Sequence, residues 1–271
     1  MRLTPLSSKK SKHFKLSRIK TGSERIRFFD MNITQAEIKQ VRSLREKKFR
    51  DAYGLFVVEG EKMVQEALLS DFEVVRVWRR DEIGEAAMER ISQLSSPSPV
   101  LAVVARPEPS GIVLRHSLCL GLDGVRDPGN LGTILRIADW FGVETVFVSD
   151  DCVDLYNPKV IQASMGSIFR VRVVTADLAD LARRFRDAGM RVYGTFLDGK
   201  DLYREALAPE GLVLMGNEAA GIRPEVAAEV DSRLLIPSFG RSARETGAGT
   251  GAESLNVAVA TAVTLSEFRR R

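Results

Sequence analysis

From residue 33 onward the chain alternates short apolar runs with stretches whose apolar positions recur every three or four residues. The runs at 55–58, 74–78 and 100–105 read as strands, and the amphipathic stretches between them read as helices. The first unit is expected to hold a basic helix over 33–48, capped by Thr34, and helices over 60–69 and 81–94. This alternation suggests a small three-layer α/β domain. Pro97, Pro99, Pro107 and Pro109 flank its last strand and place a linker near 106–111. Beyond the linker, strands are expected near 118–122, 144–148, 171–174, 191–196, 212–215 and 233–236. Helices are expected near 130–141, 158–164, 177–188, 223–229 and 254–268. Regular strand–helix alternation of this kind predicts a parallel sheet. Residues 1–30 lack the periodicity and are expected to be disordered.

Composition narrows the class. The 271 residues, 44% hydrophobic, can bury a good core as one large or two ordinary domains. No apolar run approaches a membrane span, and no secretory segment leads the chain, so a cytoplasmic protein is expected. Cys119 and Cys152 fall in or near strands and read as reduced buried thiols. His13 and His116 are too scattered for a zinc site, so metal-free chemistry is expected. Charge is unevenly placed. Residues 1–50 hold 15 Lys or Arg against 4 Asp or Glu, net +11, and the remainder holds 25 against 32, net −7, giving +4 for the chain. A basic arm on a mildly acidic body suits a polyanionic partner. The same arm reads equally as a solvated tail; an organelle transit peptide and a leader preceding a true start at Met31 are further readings.

Three segments carry candidate chemistry. In the first, a strand-like run at 118–122 leads through Asp123-Gly124-Val125-Arg126-Asp127-Pro128-Gly129-Asn130-Leu131-Gly132 into a helix carrying Arg136. Pro128 and Gly129 read as the turn, so Asn130 would act from the loop and Arg136 from the helix. In the second, a buried strand ends at Gly216, which permits close backbone approach, and is followed by Asn217 and Glu218. Those two polar residues would sit at the carboxyl end of a strand, where open α/β sheets bind ligands. In the third, Ser254-Leu255-Asn256 precedes the small apolar run 257–263, with Ser254 as the expected helix cap and Asn256 just inside. Each segment alone is an ordinary turn or cap.

Together and in this order, the segments resemble the SpoU (TrmH-like) RNA 2′-O-methyltransferases of the SPOUT class. Asn130, Gly132 and Arg136 match the first motif, Gly216-Asn217-Glu218 with Gly221 the second, and Ile236-Pro237 with Ser254-Leu255-Asn256-Val257 the third. The resemblance covers about 116–268 and, more loosely, 35–105, where Lys47-Lys48-Phe49-Arg50 and the strand after it resemble the L30e-like amino-terminal substrate-binding domain of these enzymes. One departure is a long loop at 239–252, where relatives have a short connection. Its Gly247, Gly249 and Gly251 imitate a dinucleotide fingerprint, but too little chain follows for another βα unit.

The resemblance implies an α/β fold: a parallel-sheet SPOUT domain over 112–271 with a carboxyl-terminal trefoil knot, and a small L30e-like domain over 31–106 behind a basic tail, 1–30. It implies S-adenosylmethionine as donor, a ribose 2′-hydroxyl as acceptor, and a homodimer. Ribosomal RNA is favoured over tRNA. Arg136 would grip a phosphate and stabilise alkoxide charge, since arginine stays protonated. Asn130 would orient Arg136 or the ribose, and Glu218 would hold Arg136 or accept a proton. Ser254 and Asn256 would position the nucleotide or the second motif. Gly216, Ile236 and Leu255, with Thr195, would hold the cofactor, and Arg45, Lys47, Lys48 and Arg50 would contact RNA phosphates. Two other readings stand beside it: a non-catalytic RNA-binding or ribosome-assembly factor, and, on the glycine pattern, a nucleotide-dependent oxidoreductase.

Overall fold

The computed structural model describes residues 32–108, 111–114, 116–239 and 254–270. The expectations for the basic tail, the 240–252 stretch with its glycines, and His13 lie outside these residues. So does the connection 240–253 into the last helix, and with it the expected knot.

The amino-terminal unit is a three-stranded antiparallel sheet in the order β1-β3-β2, from β1 (Leu55–Glu59), β2 (Val74–Arg79) and β3 (Val100–Ala105). Helices α1 (Gln35–Ser43), α2 (Lys47–Tyr53), α3 (Glu61–Leu69), α4 (Arg80–Ile83) and α5 (Glu85–Ile91) surround it. The alternation of strand residues explains the layers. Val57, Val75, Leu101 and Val103 face Ile38 and Val41 of α1 and Met88 and Ile91 of α5. Phe56, Val58, Ala102 and Val104 face Met63, Val64 and Ala67 of α3 on the other side.

Two expected helices are each split. The 33–48 helix ends at Ser43 and restarts at Lys47, although Thr34 caps its start in a full capping box with Glu37. The 81–94 helix breaks at Gly84, whose φ of +83° suits glycine and halts helical pairing.

The second unit is a six-stranded, wholly parallel sheet in the order β6-β5-β4-β8-β7-β9. Its strands are β4 (Leu118–Leu122), β5 (Thr145–Val148), β6 (Arg172–Thr175), β7 (Val192–Asp201), β8 (Gly211–Met215) and β9 (Ser232–Leu235). One face carries α6 (Pro128–Trp140), α7 (Pro158–Ser164) and α10 (Val257–Arg270), the other α8 (Leu178–Asp187) and α9 (Pro224–Ala227). From β4 the chain leaves towards β5, and from β8 towards β9 on the opposite side. The adjacent carboxyl ends of β4 and β8 therefore form the topological switch point, where such sheets open a crevice.

The two units share one core. Phe56 of β1 packs in a tilted arrangement against Tyr156 at 4.7 Å between ring centres, and Phe72 meets Phe169 edge-on at 5.2 Å. Glu66 of α3 pairs with Arg170, which also holds Asp139 of α6. Among the described residues, no helix is long and apolar enough to cross a membrane.

Candidate active site

The first motif is built by a cap. Asp127 accepts the Asn130 N–H at 2.8 Å, and Pro128 occupies the first helical turn, where its missing N–H costs nothing. Asn130 therefore lies in the first turn of α6, and the expected loop position is corrected by the Asp-Pro start. Gly132 has a packing role: a Cβ there would fall 2.5 Å from the Ala163 Cβ and 2.7 Å from the Val160 carbonyl, so α6 and α7 cross in close contact.

The second motif is a closed turn after β8. Asn217 and Gly221 exchange backbone hydrogen bonds of 3.0 and 2.9 Å. The Asn217 side-chain oxygen accepts the Ala219 and Ala220 N–H groups, each at 3.0 Å, while its Nδ2 donates to the Gly124 carbonyl at 2.7 Å. One amide thus shapes this turn and ties it to the loop after β4. Gly216 is required by the same closure. A Cβ there would lie 2.3 Å from the Gly221 carbonyl carbon and 2.4 Å from the Ile222 nitrogen. Gly216→Ala is expected to lose about 1–3 kcal/mol of stability by overpacking, read by urea denaturation. An unchanged midpoint would show that the turn relaxes freely.

The third motif differs from expectation in detail. The cap of α10 is Asn256, whose Oδ1 accepts the Ala258 N–H at 2.9 Å and the Val259 N–H at 3.3 Å. Ser254 lies outside the helix and exposed, so the cap assigned to it passes to Asn256, two residues later.

These three segments meet. With its oxygen committed to capping, Asn256 presents Nδ2 to Asn130 Oδ1 at 2.9 Å. Asn130 in turn donates its Nδ2 to Glu218 Oε1 at 2.7 Å. The direction of each bond fixes the next, because an amide has one acceptor end and one donor end. The carboxylate of Glu218 sits beside the first turn of α6, where the helix dipole favours negative charge. The two helices run side by side in the same direction. Arg269, near the end of α10, donates to the Phe141 and Gly142 carbonyls beyond the end of α6 at 2.7 and 2.9 Å.

Arg136 is not in this chain of bonds. Six residues beyond Asn130 on α6, it lies about 120° round the helix axis from it at 100° per residue. It is exposed and makes no ion pair or hydrogen bond among the described residues. The expected partnership of Glu218 with Arg136 is therefore replaced by one with Asn130.

Beneath the cluster lies a buried support that the sequence did not disclose. Asp123, 1% exposed, accepts the Arg223 backbone N–H at 2.8 Å and its Nε at 2.7 Å. Ser149 donates to Asp151 at 2.7 Å and accepts the Gly124 N–H at 2.8 Å. That hydroxyl first, then Arg126 and Arg223, hold the Asp151 carboxyl below the usual carboxylate range, against the opposing effect of burial.

The expected cofactor residues gather on the carboxyl edges of three neighbouring strands. Gly216 follows β8, Ile236 follows β9, and Thr195 of β7 lies between, its hydroxyl 3.4 Å from the Leu214 carbonyl. Thr195 and Lys200 both pair with Leu234, so residues 196–199 bulge out of the sheet here. Leu255, half exposed, precedes α10. No hydrogen bond among the described residues takes up the N–H groups of Gly216, Ile236 or Leu255. Free backbone donors above a half-buried apolar floor are the usual furniture of a nucleoside site.

Of the expected RNA contacts, Lys47 and Lys48 are exposed and paired locally, with Asp51 at 2.6 Å and Glu46 at 2.8 Å. Arg45 is exposed and donates one N–H to the Ser92 carbonyl. Arg50 is a correction. It is 3% exposed, pairs with Asp154 at 2.6 Å, and donates to the Leu44 and Arg45 carbonyls at 2.8 and 2.7 Å. It joins the two units and cannot reach solvent.

Comparison with known proteins agrees with this geometry. Residues 117–266 match the SpoU rRNA Methylase family, and residues 35–84 match the MRM3-like substrate binding domain. The chain belongs to the SpoU family. It is 32% identical over 249 residues to the 23S rRNA (guanosine(2553)-2′-O)-methyltransferase RlmP of Bacillus subtilis, covering 86% of this chain and 96% of that one. A structure from Porphyromonas gingivalis assigned to the TrmH family of RNA methyltransferases superposes with a TM-score of 0.79 at 40% identity, covering 88% and 98% of the two chains. An AdoMet-bound rRNA methyltransferase from Sinorhizobium meliloti superposes with a TM-score of 0.78 at 31% identity, covering 88% and 97%.

Proposed function

We propose that this protein methylates a ribose 2′-hydroxyl of large-subunit ribosomal RNA, with S-adenosylmethionine as donor. The observation that carries this reading is the Asn256–Asn130–Glu218 chain of bonds. It brings three distant segments to one point at the switch of the sheet, beside the edge formed by Gly216, Thr195, Ile236 and Leu255. Those four hold the donor, which supplies a methyl group already activated as a sulfonium. What remains for the protein is alignment of the attacking oxygen and management of its proton.

In this reading Asn256 and Asn130 fix the Glu218 carboxylate through Oε1, and its second oxygen, held only by a long 3.5 Å contact from the Asn217 amide, accepts a hydrogen bond or proton from the ribose. Arg136 carries no competing partner, so its guanidinium grips the substrate phosphate in a bidentate contact and stabilises charge on the attacking oxygen. Ser254 positions the nucleotide from the loop before α10. Arg45, Lys47 and Lys48 bind the RNA backbone from the amino-terminal unit. We place the domains at 31–106 and 112–271, with 1–30 as a basic tail and a carboxyl-terminal knot as in the family.

The protein acts as a homodimer in this reading. Trp140 is 85% exposed at the end of α6, and Val259 is 50% exposed on the adjacent α10. Exposed apolar side chains at the two ends of this helix pair suit an isologous contact.

Purified protein, radiolabelled S-adenosylmethionine and RNA from a strain lacking the gene provide the test. Label in large-subunit ribosomal RNA at one alkali-resistant linkage is expected. Label in tRNA alone would overturn the substrate, and failure to bind the donor would overturn the enzyme.

A further inference from the structure

A second basic feature lies away from the cluster. A groove of about 460 Å³ runs between the two units, lined by Arg45, Gln93, Leu94 and Ser95 on one side and Asn157, Pro158 and Lys159 on the other. This size falls within the range of ligand sites, roughly 300–1,000 Å³. We propose that the groove is an anchoring subsite for the sugar–phosphate backbone of the RNA, outside the reacting nucleotide, with Lys159 as its principal cation. The proposal rests on the functional reading above and extends it to a residue of the methyltransferase unit.

Three observations converge. The walls carry one cation each, from different units. Lys159 is exposed, and its ammonium makes no ion pair among the described residues, whereas Lys47 and Lys48 are already paired locally. Arg45 is oriented by its bond to the Ser92 carbonyl, and Ser92 and the Gln93 N–H are held by Glu59, so this wall is prearranged.

The position fits a continuous strand. All six strands of the large sheet are parallel, so the loop from β5 to α7, with Lys159 in the first turn of that helix, opens on the same edge as the loops after β4 and β8. Arg126, exposed in the β4–α6 loop, belongs to that same edge. RNA seated between Arg45 and Lys159 can therefore continue past Arg126 towards Asn130 and Glu218. Asp154 of the same β5–α7 connection pairs with the buried Arg50 of α2, so this ion pair ties the two walls together. Phosphates are the chemistry such a site selects, since it offers cations and neutral N–H donors and no carboxylate among its lining residues.

The test compares full-length wild type with Lys159→Glu and Lys159→Arg. Binding of a fluorescein-labelled large-subunit rRNA fragment is measured across salt concentrations without methyl donor, and methyl transfer is measured separately. Lys159→Glu is expected to weaken RNA binding and raise KM for RNA about tenfold, and to lower the salt slope by about 1. Lys159→Arg should restore both. A Lys159→Glu protein with wild-type affinity and salt slope overturns the proposal, and so does a loss in kcat with KM unchanged. Because binding is read without donor, a wild type that bound RNA but methylated none would remove the functional reading and leave the groove standing.

Discussion

Arg136→Ala is expected to lower kcat at least about 100-fold, the usual loss when one preorganised donor to developing charge is removed. Affinity for S-adenosylmethionine should stay within about twofold, because the edge proposed to hold the donor, with Gly216, Thr195, Ile236 and Leu255, is built from β7, β8, β9 and the entry to α10, not from α6. Folding should also be preserved. Arg136 is exposed and holds nothing among the described residues, and the buried side of α6 is supplied by Leu131, Ile134, Leu135 and Ala138. A cation without a partner among the described residues, on the same helix as the Asn130 that holds the Glu218 carboxylate, is better explained by a substrate than by the fold. Arg136→Lys should recover little, since an ammonium cannot make the forked contact of a guanidinium. Single-turnover transfer with donor binding by calorimetry decides the matter. Near-normal turnover in Arg136→Ala would remove Arg136 from the chemistry, and loss of donor binding would move it to the cofactor edge.

The order of strands and helices was legible because the apolar periods change cleanly from two to nearly four along the chain. The sequence could also place Asn130, Glu218 and Asn256 near one edge, since each follows or caps an element whose direction the alternation predicts. It could not show that they form a single directed chain of bonds. That depends on whether Ser254 or Asn256 caps α10, a shift of two residues that reverses which polar group faces inward. The Asp127-Pro128 pair does announce the start of α6, and reading Pro128 as a turn residue hid it. Asp123 and Arg223 are a hundred residues apart, and no local pattern links them. The break at Gly84 was marked by glycine inside a helical pattern, a signal that the surrounding charges obscured.

The assignment of Arg50 failed for a related reason. A Lys-Lys-Phe-Arg run at a helix start reads as a solvated basic face, and helical spacing alone does not reveal that its last member turns inward. The structure makes a firm forecast from that position. Arg50→Met is expected to cost about 3 kcal/mol, the lower part of the range for breaking a buried pair. The lower part applies because Asp154 keeps 12% of its side-chain exposure and can be rescued partly by water. Three acceptors lose their donor at once: the Asp154 carboxylate and the Leu44 and Arg45 carbonyls between α1 and α2. Removing both charges in Arg50→Met with Asp154→Leu should recover much of the loss, because the uncompensated carboxylate is the larger penalty. The salt slope of RNA binding separates this structural role from the phosphate contact first expected. A lost phosphate contact lowers the slope by about 1, whereas loss of the Arg50–Asp154 junction leaves the slope unchanged and appears in the urea midpoint. A cost below about 1 kcal/mol, the value of a surface pair, would mean that the junction between the units is held by the Phe56, Tyr156 and Phe169 packing and that Arg50 only follows it.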